Sequence, residues 1–461
     1  MGRFPDHFRW GTATSSYQIE GAVAEGGRGP SVWDTFCRVP GAISDGTTGD
    51  VACEHYHRYR EDVALMAGLG LDDYRFSIAW PRIQPNGTGK ANSEGIDFYS
   101  RLVDELLDHD IAPFVTLYHW DLPQALEDRG GWRARDTAAR FAEYAQIVAQ
   151  ALGDRVLMFT TLNEPWCSAF LGYADGEHAP GGRNPADGYL AAHHLLLAHG
   201  MGTAAMRAVL PAAAQVSLTV NPTNVRADSE SVQDLQVARW AALATNEIFL
   251  DPVLTGVLSE ELVAASASVT DWDFVQDGDL ATIAAPIDFL GVNYYCPHLV
   301  GATQREGSSR WAGVPDAWAH EQRGPVTGMG WRVEPASLTE LLVGLSEQYP
   351  GVPFVVTENG SAWPDAVEAD GSVHDEQRAA YLSTHIDAVA DAIAAGVDLR
   401  GYFAWSLLDN FEWGWGLSQR FGLVHVDFDT QRRTMKTSGE TYRMIIADHR
   451  RLSGPADRGL E

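Results

Sequence analysis

The stretch FTTLNEPWC, residues 159–167, begins as a buried strand and ends as something else. Phe159 to Leu162 is apolar and β-branched, the composition of a strand covered on both faces. It then breaks into Asn163, Glu164 and Pro165, with Trp166 directly behind. A carboxylate at the end of a buried strand is costly unless something there uses it. Pro165 should stop the ladder, because proline lacks a donor and restricts the residue before it.

The same shape recurs along the chain. Short apolar runs stand at 8–15 (FRWGTATS), 73–80 (DYRFSIAW), 113–120 (PFVTLYHW) and 157–164 (LMFTTLNE). Four more follow at 215–222 (QVSLTVNP), 287–295 (IDFLGVNYY), 353–360 (PFVVTENG) and 401–409 (GYFAWSLLD). Helical periodicity fills the gaps, most clearly over 97–107 and 140–152. Eight strands alternating with helices predict a (β/α)₈ TIM barrel with extended strand-to-helix loops. Length alone favours two or three domains, but barrels of this size form one unit with insertions. The expected organisation is a catalytic barrel over 1–447 and a polar C-terminal tail over 448–461. Residues 301–328 are long, Gly-rich and irregular, and read as a loop over the mouth of a pocket.

Seven of the eight runs carry a misplaced polar or aromatic residue at or near their C-terminal ends. These are Gln18 just after the first, Arg75 in the second, and His119 with Trp120 in the third. The fourth gives Asn163 and Glu164, the sixth Asn293 and Tyr295, the seventh Glu358 and the eighth Trp405. In a barrel those ends share one face, where active sites lie.

Composition narrows the function classes. A net charge of −29 argues against nucleic-acid and membrane partners, which call for clustered Lys and Arg. Lysine occurs only at Lys90 and Lys436, which reads as coding bias. No long apolar window and no apolar leader are evident, and Cys37, Cys53, Cys167 and Cys296 form no CxxC pair. Reduced thiols and a cytoplasmic setting are expected. Self-association into a homo-oligomer stays open.

Glu164 and Glu358 each follow an apolar strand and each neighbour an Asn. Two facing carboxyl groups are the minimum equipment for glycoside hydrolysis: one protonates the departing oxygen, the other attacks the anomeric carbon or activates water. The roles separate when the environments push the two pKa values apart. Arg75 and Tyr295 are placed to hold Glu358 ionised, and its charge would favour protonated Glu164. Trp120, Trp166, Trp331, Trp405, Trp413 and Trp415 offer faces for sugar C–H groups, and Gln18, His119, Asn163, Asn293 and Glu412 offer partners for hydroxyls. Taken alone, His119 reads as a satisfied structural histidine. No metal or other cofactor is expected. EHYH (54–57) puts its histidines on different helix faces, His193–His194 cannot converge on one ion, and DGDL (277–280) lacks the calcium-loop pattern. GGRGP (26–30) follows no strand and is no phosphate cradle.

These residues resemble glycoside hydrolase family 1, the β-glucosidase family. The likeness is carried by FRWGTATSSYQIEG (8–21), LYHWDLPQAL (117–126), TLNEPW (161–166), FLGVNYY (289–295), VTENG (356–360) and the block 402–427. It implies a retaining β-glycosidase with Glu164 as acid/base, Glu358 as nucleophile and carboxyl groups only about 5 Å apart. It further implies that Gln18, His119, Asn163, Glu412 and Trp413 hold the glycone over a Trp405 floor. Asn163 would meet the 2-hydroxyl, Arg75, Asn293 and Tyr295 would support the nucleophile, and Trp331 would carry the leaving group. Thioglucosidases of the family lack the acid/base Glu, which is present here. Phospho-β-glucosidases use a Ser, Lys and Tyr cluster, whereas here Glu412 replaces the Ser and GLSQRFGLV (416–424) has no Lys, so phosphate would be repelled. The expected substrates are cellobiose, cello-oligosaccharides or aryl β-glucosides. A β-galactosidase or β-fucosidase with broad glycone use, or a transglycosylating enzyme, is the alternative. A sugar-binding barrel without activity would lack one Glu, and an aldolase would need a strand-end Lys. This chain shows neither.

Overall fold

Eight parallel strands close into a barrel: β1 (Arg9–Ala13), β2 (Asp73–Ser77), β3 (Ala112–Tyr118), β4 (Met158–Asn163), β5 (Gln215–Val220), β6 (Phe289–Asn293), β7 (Phe354–Asn359) and β8 (Leu399–Trp405). The structure is a computed structural model and describes residues 3–321 and 324–453. β1 pairs with both β2 and β8, with Arg9 opposite Gly401 and Ala13 opposite Trp405, which completes the ring. Each expected run holds one strand. Each strand ends one to four residues before its run does.

The strands are buried nearly throughout, as their two-sided apolar composition requires. The barrel interior is filled by Phe114, Phe289 and Phe403, packed edge to face with centroids 5.8 and 5.6 Å apart. Each ring removed from water contributes roughly 1.5–3 kcal/mol. Gly11 makes room for this plug, since a Cβ there would stand 2.4 Å from the Phe403 ring. The plug is the floor of the site, and the Arg75 guanidinium lies 5.9 Å above the Phe114 ring.

Helices cover the outside, including Ser93–Asp108 and Asp136–Leu152, which contain the two clearest periodic segments. Among the described residues no helix is long and apolar enough to cross a membrane.

Two expectations are corrected. Residues 301–321 lie beside the cavity as expected, but they are not irregular throughout. Ser309–Arg310 and Trp318–His320 join His298–Gly301 and Val225–Ala227 in a four-stranded sheet beside the cavity. The backbone polar groups of so long a segment need partners, and this sheet supplies them. The boundary at 447/448 falls inside the helix Thr437–Ser453, whose end is tied down. Trp10 Nε1 donates to His449 Nδ1 at 2.9 Å, and Arg450 pairs with Asp72 at 2.6 Å. The rest of the expected tail, 454–461, lies outside the described residues.

Candidate active site

The strands that carry the two glutamates each slip register just before them. On β4, Thr160 pairs with Ser217 but Asn163 with Thr219, so β4 spends one residue more than β5. On β7, Val356 pairs with Val292 and Glu358 with Asn293, which leaves Thr357 as the extra residue. Such bulges re-aim side chains at barrel rims. Glu164 N–H still bonds Thr219 O at 2.9 Å, so the ladder outlasts the strand by one residue. Pro165 then opens a helical turn that runs into a π-helix over Cys167–Asp175. Proline predicts an extended Glu164, whereas its φ is +45°. Trp120 (+76°) and Trp413 (+45°) share this left-handed geometry, which costs of order 1–3 kcal/mol each and gathers at functional sites.

One hydrogen-bond network joins the strand ends. Arg75 donates to Glu358 Oε1 at 2.5 Å and to Asn163 Oδ1 at 2.6 Å. Tyr295 OH donates to Glu358 Oε2 at 2.7 Å. The Asn293 amide donates to Glu164 Oε1 at 2.6 Å and to Asn163 Oδ1 at 3.0 Å, and the same –NH₂ faces Glu358 and favours its ionised form. The two carboxyl groups therefore flank a single –NH₂ group. The Cys167 thiol donates to Glu164 Oε2 at 3.1 Å. Asn163 Nδ2 lies 3.1 Å from His119 Nε2. With Nε2 accepting, His119 carries its proton on Nδ1, which has no partner among the described residues.

Glu164, Glu358 and Glu412 share the cavity, and among the described residues Arg75 is the only cation bonded to any of them. One guanidinium offsets one negative charge, so the other two carboxyls hold protons more tightly. Burial, then the charge of Glu358, raises Glu164 to about 7. Burial, then both neighbours, raises Glu412 to about 8. Burial also raises Glu358, against the pull of Arg75 and Tyr295. Neighbouring charges alone predict a lowered Glu358 and a Glu164 raised by its neighbour. Desolvation instead leads in both, because the Phe floor excludes water. His119 is held neutral by burial and by Arg75.

The cavity measures about 420 Å³. His119, Trp120, Trp405, Glu412 and Trp413 form one end, with Trp120 and Trp413 ring centroids 4.5 Å apart and His119 stacked at 5.8 Å on Trp405. Trp331 forms another wall, backed by Tyr295 at 5.2 Å and Phe421 at 5.9 Å. Trp166 and Trp415 also line it, and Trp415 is exposed at the rim. Gln18, Asn163 and Arg75 stand behind the wall. Gln18 Nε2 already donates to Asn410 Oδ1 at 3.0 Å and to Phe411 O at 2.9 Å, and lies 3.5 Å from Glu412. The Trp120 indole N–H is likewise taken, by Asn163 O at 2.9 Å.

Sequence reasoning missed Asn221, Cys167, His178 and Trp311, which also line the cavity. Asn221 was within reach, since it ends the fifth run as the other site residues end theirs. The histidines weighed as metal ligands have other partners: His55 bonds Asp62 at 2.7 Å and His193 bonds Asp279 at 2.8 Å.

Residues 1–451 match the family profile "Glycosyl hydrolase family 1". A bifunctional β-D-glucosidase/β-D-fucosidase of Bifidobacterium breve is 51% identical over 461 residues, covering 97% of this chain and 98% of its own. The thermostable β-glucosidase B of Thermobispora bispora is 50% identical, covering 96% and 90%. Among solved structures, the psychrophilic β-glucosidase BglU of Micrococcus antarcticus superposes with a TM-score of 0.94 at 47% identity, covering 97% and 98%.

Proposed function

The chain belongs to glycosyl hydrolase family 1, and from that premise we propose that it is a retaining β-glucosidase. It releases terminal β-D-glucosyl units from cellobiose, cello-oligosaccharides or aryl β-glucosides. The observation that carries this reading is the pair of carboxyl groups beside one Asn293 amide, one bonded to a guanidinium and the other not. Glu358 attacks the anomeric carbon while Glu164 gives its proton to the departing oxygen, so the glycosidic bond breaks as an ester to Glu358 forms. Glu164, now ionised, takes a proton from water, and the resulting attack frees glucose and restores Glu358. Trp405 offers a face for the glycone, His119 Nδ1–H and Glu412 meet its hydroxyls, and Trp331 receives the aglycone. ¹H NMR of the first-formed product tests the stereochemistry: β-glucose is expected, and α-glucose would overturn the retaining assignment.

Activity requires ionised Glu358 with protonated Glu164. kcat/KM on an aryl glucoside is therefore bell-shaped in pH, falling above about 7 as Glu164 ionises and falling in acid as Glu358 gains a proton. Both groups are raised, so the active window sits above that of two free carboxyls. A profile still climbing past pH ~8 would contradict the assignment of Glu164 as the acid.

Broad glycone use is supported by one relative's double name and by the chemistry of Glu412. Holding its proton up to about 8, Glu412 can donate to or accept from an axial or an equatorial 4-hydroxyl near neutrality. An aryl β-fucoside has an axial 4-hydroxyl and lacks the 6-hydroxyl, and turnover within about tenfold of aryl β-glucoside is expected if Glu412 accommodates the first and no buried group is left unpaired by the second. A preference for glucose beyond 10⁴-fold or so would remove that part of the reading. A cytoplasmic setting fits the four cysteines, all of them free thiols.

A further inference from the structure

We infer that Thr357, which touches no catalytic carboxylate by its hydroxyl, is a positioning residue: it fixes the direction of the Asn293 amide and so governs how both glutamates hold their protons. The inference rests on the proposed roles of Glu164 and Glu358.

Three observations carry it. Thr357 Oγ1 donates to Asn293 Oδ1 at 2.7 Å, and Thr357 is fully buried. With Oδ1 so engaged, the opposite end of the amide is necessarily the –NH₂ group, and it meets Glu164, Asn163 and Glu358. Reversing the amide would turn an oxygen toward the Glu164 and Asn163 oxygens and make the threonine hydroxyl accept where it now donates. Second, Thr357 is the bulge residue of β7. In an unbroken strand, Thr357 and Glu358 would face opposite sides. The bulge lets consecutive residues reach the same amide, one at each end. Third, the space is reserved: a Cβ on Gly291 would stand 3.0 Å from Thr357 Oγ1 and 2.3 Å from Thr219 Oγ1. A side chain at 291 would displace the hydroxyl.

The charged and titratable groups that face the two carboxyls are Arg75, Tyr295, Cys167 and Glu412, with His119 behind Asn163. None of them bonds Thr357. Without the Thr357 hydroxyl, the amide loses its lock, its bond to Glu164 weakens and its –NH₂ no longer holds its direction toward Glu358. Both contacts favour the ionised forms, so both pKa values rise.

The test is Thr357→Val, nearly isosteric but without the donor, beside Thr357→Ser and the control Thr160→Val. Thr160 is an equally buried hydroxyl that bonds Thr219 and backbone carbonyls of β4 and β5. On an aryl glucoside, Thr357→Val is expected to lower kcat about tenfold with KM within about twofold, and to move both limbs of the pH profile up by about half a unit. Thr357→Ser restores both, and Thr160→Val leaves the limbs in place. Unmoved limbs in Thr357→Val, no rescue by serine, or an equal shift in Thr160→Val would each overturn the inference. Should valine not fold, Thr357→Ala also removes the donor, and unshifted limbs there overturn it as well. Wild-type protein that releases no glucose would instead defeat the proposed function, and this inference with it.

Discussion

Replacing Glu358 by glutamine lowers kcat on an aryl β-glucoside by at least about 10⁴-fold, equivalent to ~5.5 kcal/mol of transition-state stabilisation. The amide keeps the shape and an acceptor for Arg75, while its –NH₂ turns to the Tyr295 hydroxyl, which accepts instead of donating, so the fold and substrate binding survive. What disappears is the carboxylate that holds the Arg75 guanidinium at 2.5 Å beside the second glutamate. A second effect separates this loss from simple damage. The charge of Glu358 is the second cause of the raised Glu164. In the variant that charge is gone, so Glu164 titrates below about 7 although it stays buried. Carbonyl-region infrared difference spectra across pH follow that proton without needing turnover. A variant that hydrolyses the aryl glucoside near the wild-type rate would sink the nucleophile assignment. One that fails to bind would show that Glu358→Gln had disturbed the site rather than its chemistry.

Much of the architecture was legible because it is written locally. Two-sided apolar runs mark barrel strands, and a polar residue at the end of such a run marks the open face. That reasoning found Arg75, His119, Glu164, Asn293 and Glu358, which one network joins. It passed over Asn221, whose signal was of the same kind. It misjudged why the glutamates differ, since charges can be counted from sequence whereas burial depends on the Phe114, Phe289 and Phe403 floor.

What could not be read is register. A bulge is a relation between two strands, and nothing within VVTENG says that Val356 and Glu358 will pair with successive residues of β6. The left-handed Glu164 is of the same type, for local rules give the residue before proline an extended backbone. Both irregularities fall where the chain must bring neighbouring side chains to one point. Local consistency fails at the site because the site asks for geometry that a regular strand does not provide. The strands at 309–310 and 318–320 were missed because two and three residues are too short to show a periodicity, and the helix through 448–453 because its partners, Trp10 and Asp72, are far off in the chain.

Glu164→Ala is expected to divide substrates by their leaving groups. The leaving glucose of cellobiose would have to depart as an alkoxide without the proton, so hydrolysis of cellobiose falls by about 10³–10⁴-fold, the scale of a general acid and base removed together. A dinitrophenyl glucoside needs no proton to leave, and formation of the ester to Glu358 stays fast. Its breakdown still lacks the base, so dinitrophenol appears as a burst of about one equivalent per enzyme, followed by a slow phase. The truncation opens space beside the Asn293 and Cys167 donors, which Glu164 fills in the wild type. A small anion such as azide fits there, attacks the ester directly and leaves as the β-glucosyl azide, which restores the rate without a base. The alkaline limb at about 7 is lost, because the group that titrates there has gone. A merely structural glutamate predicts otherwise: equal losses on both substrates, no burst, no azide product and an alkaline limb where it was. The burst and the azide adduct depend on an ester that only an intact Glu358 can form. Both signals therefore vanish in the double variant, which ties the two assignments to each other.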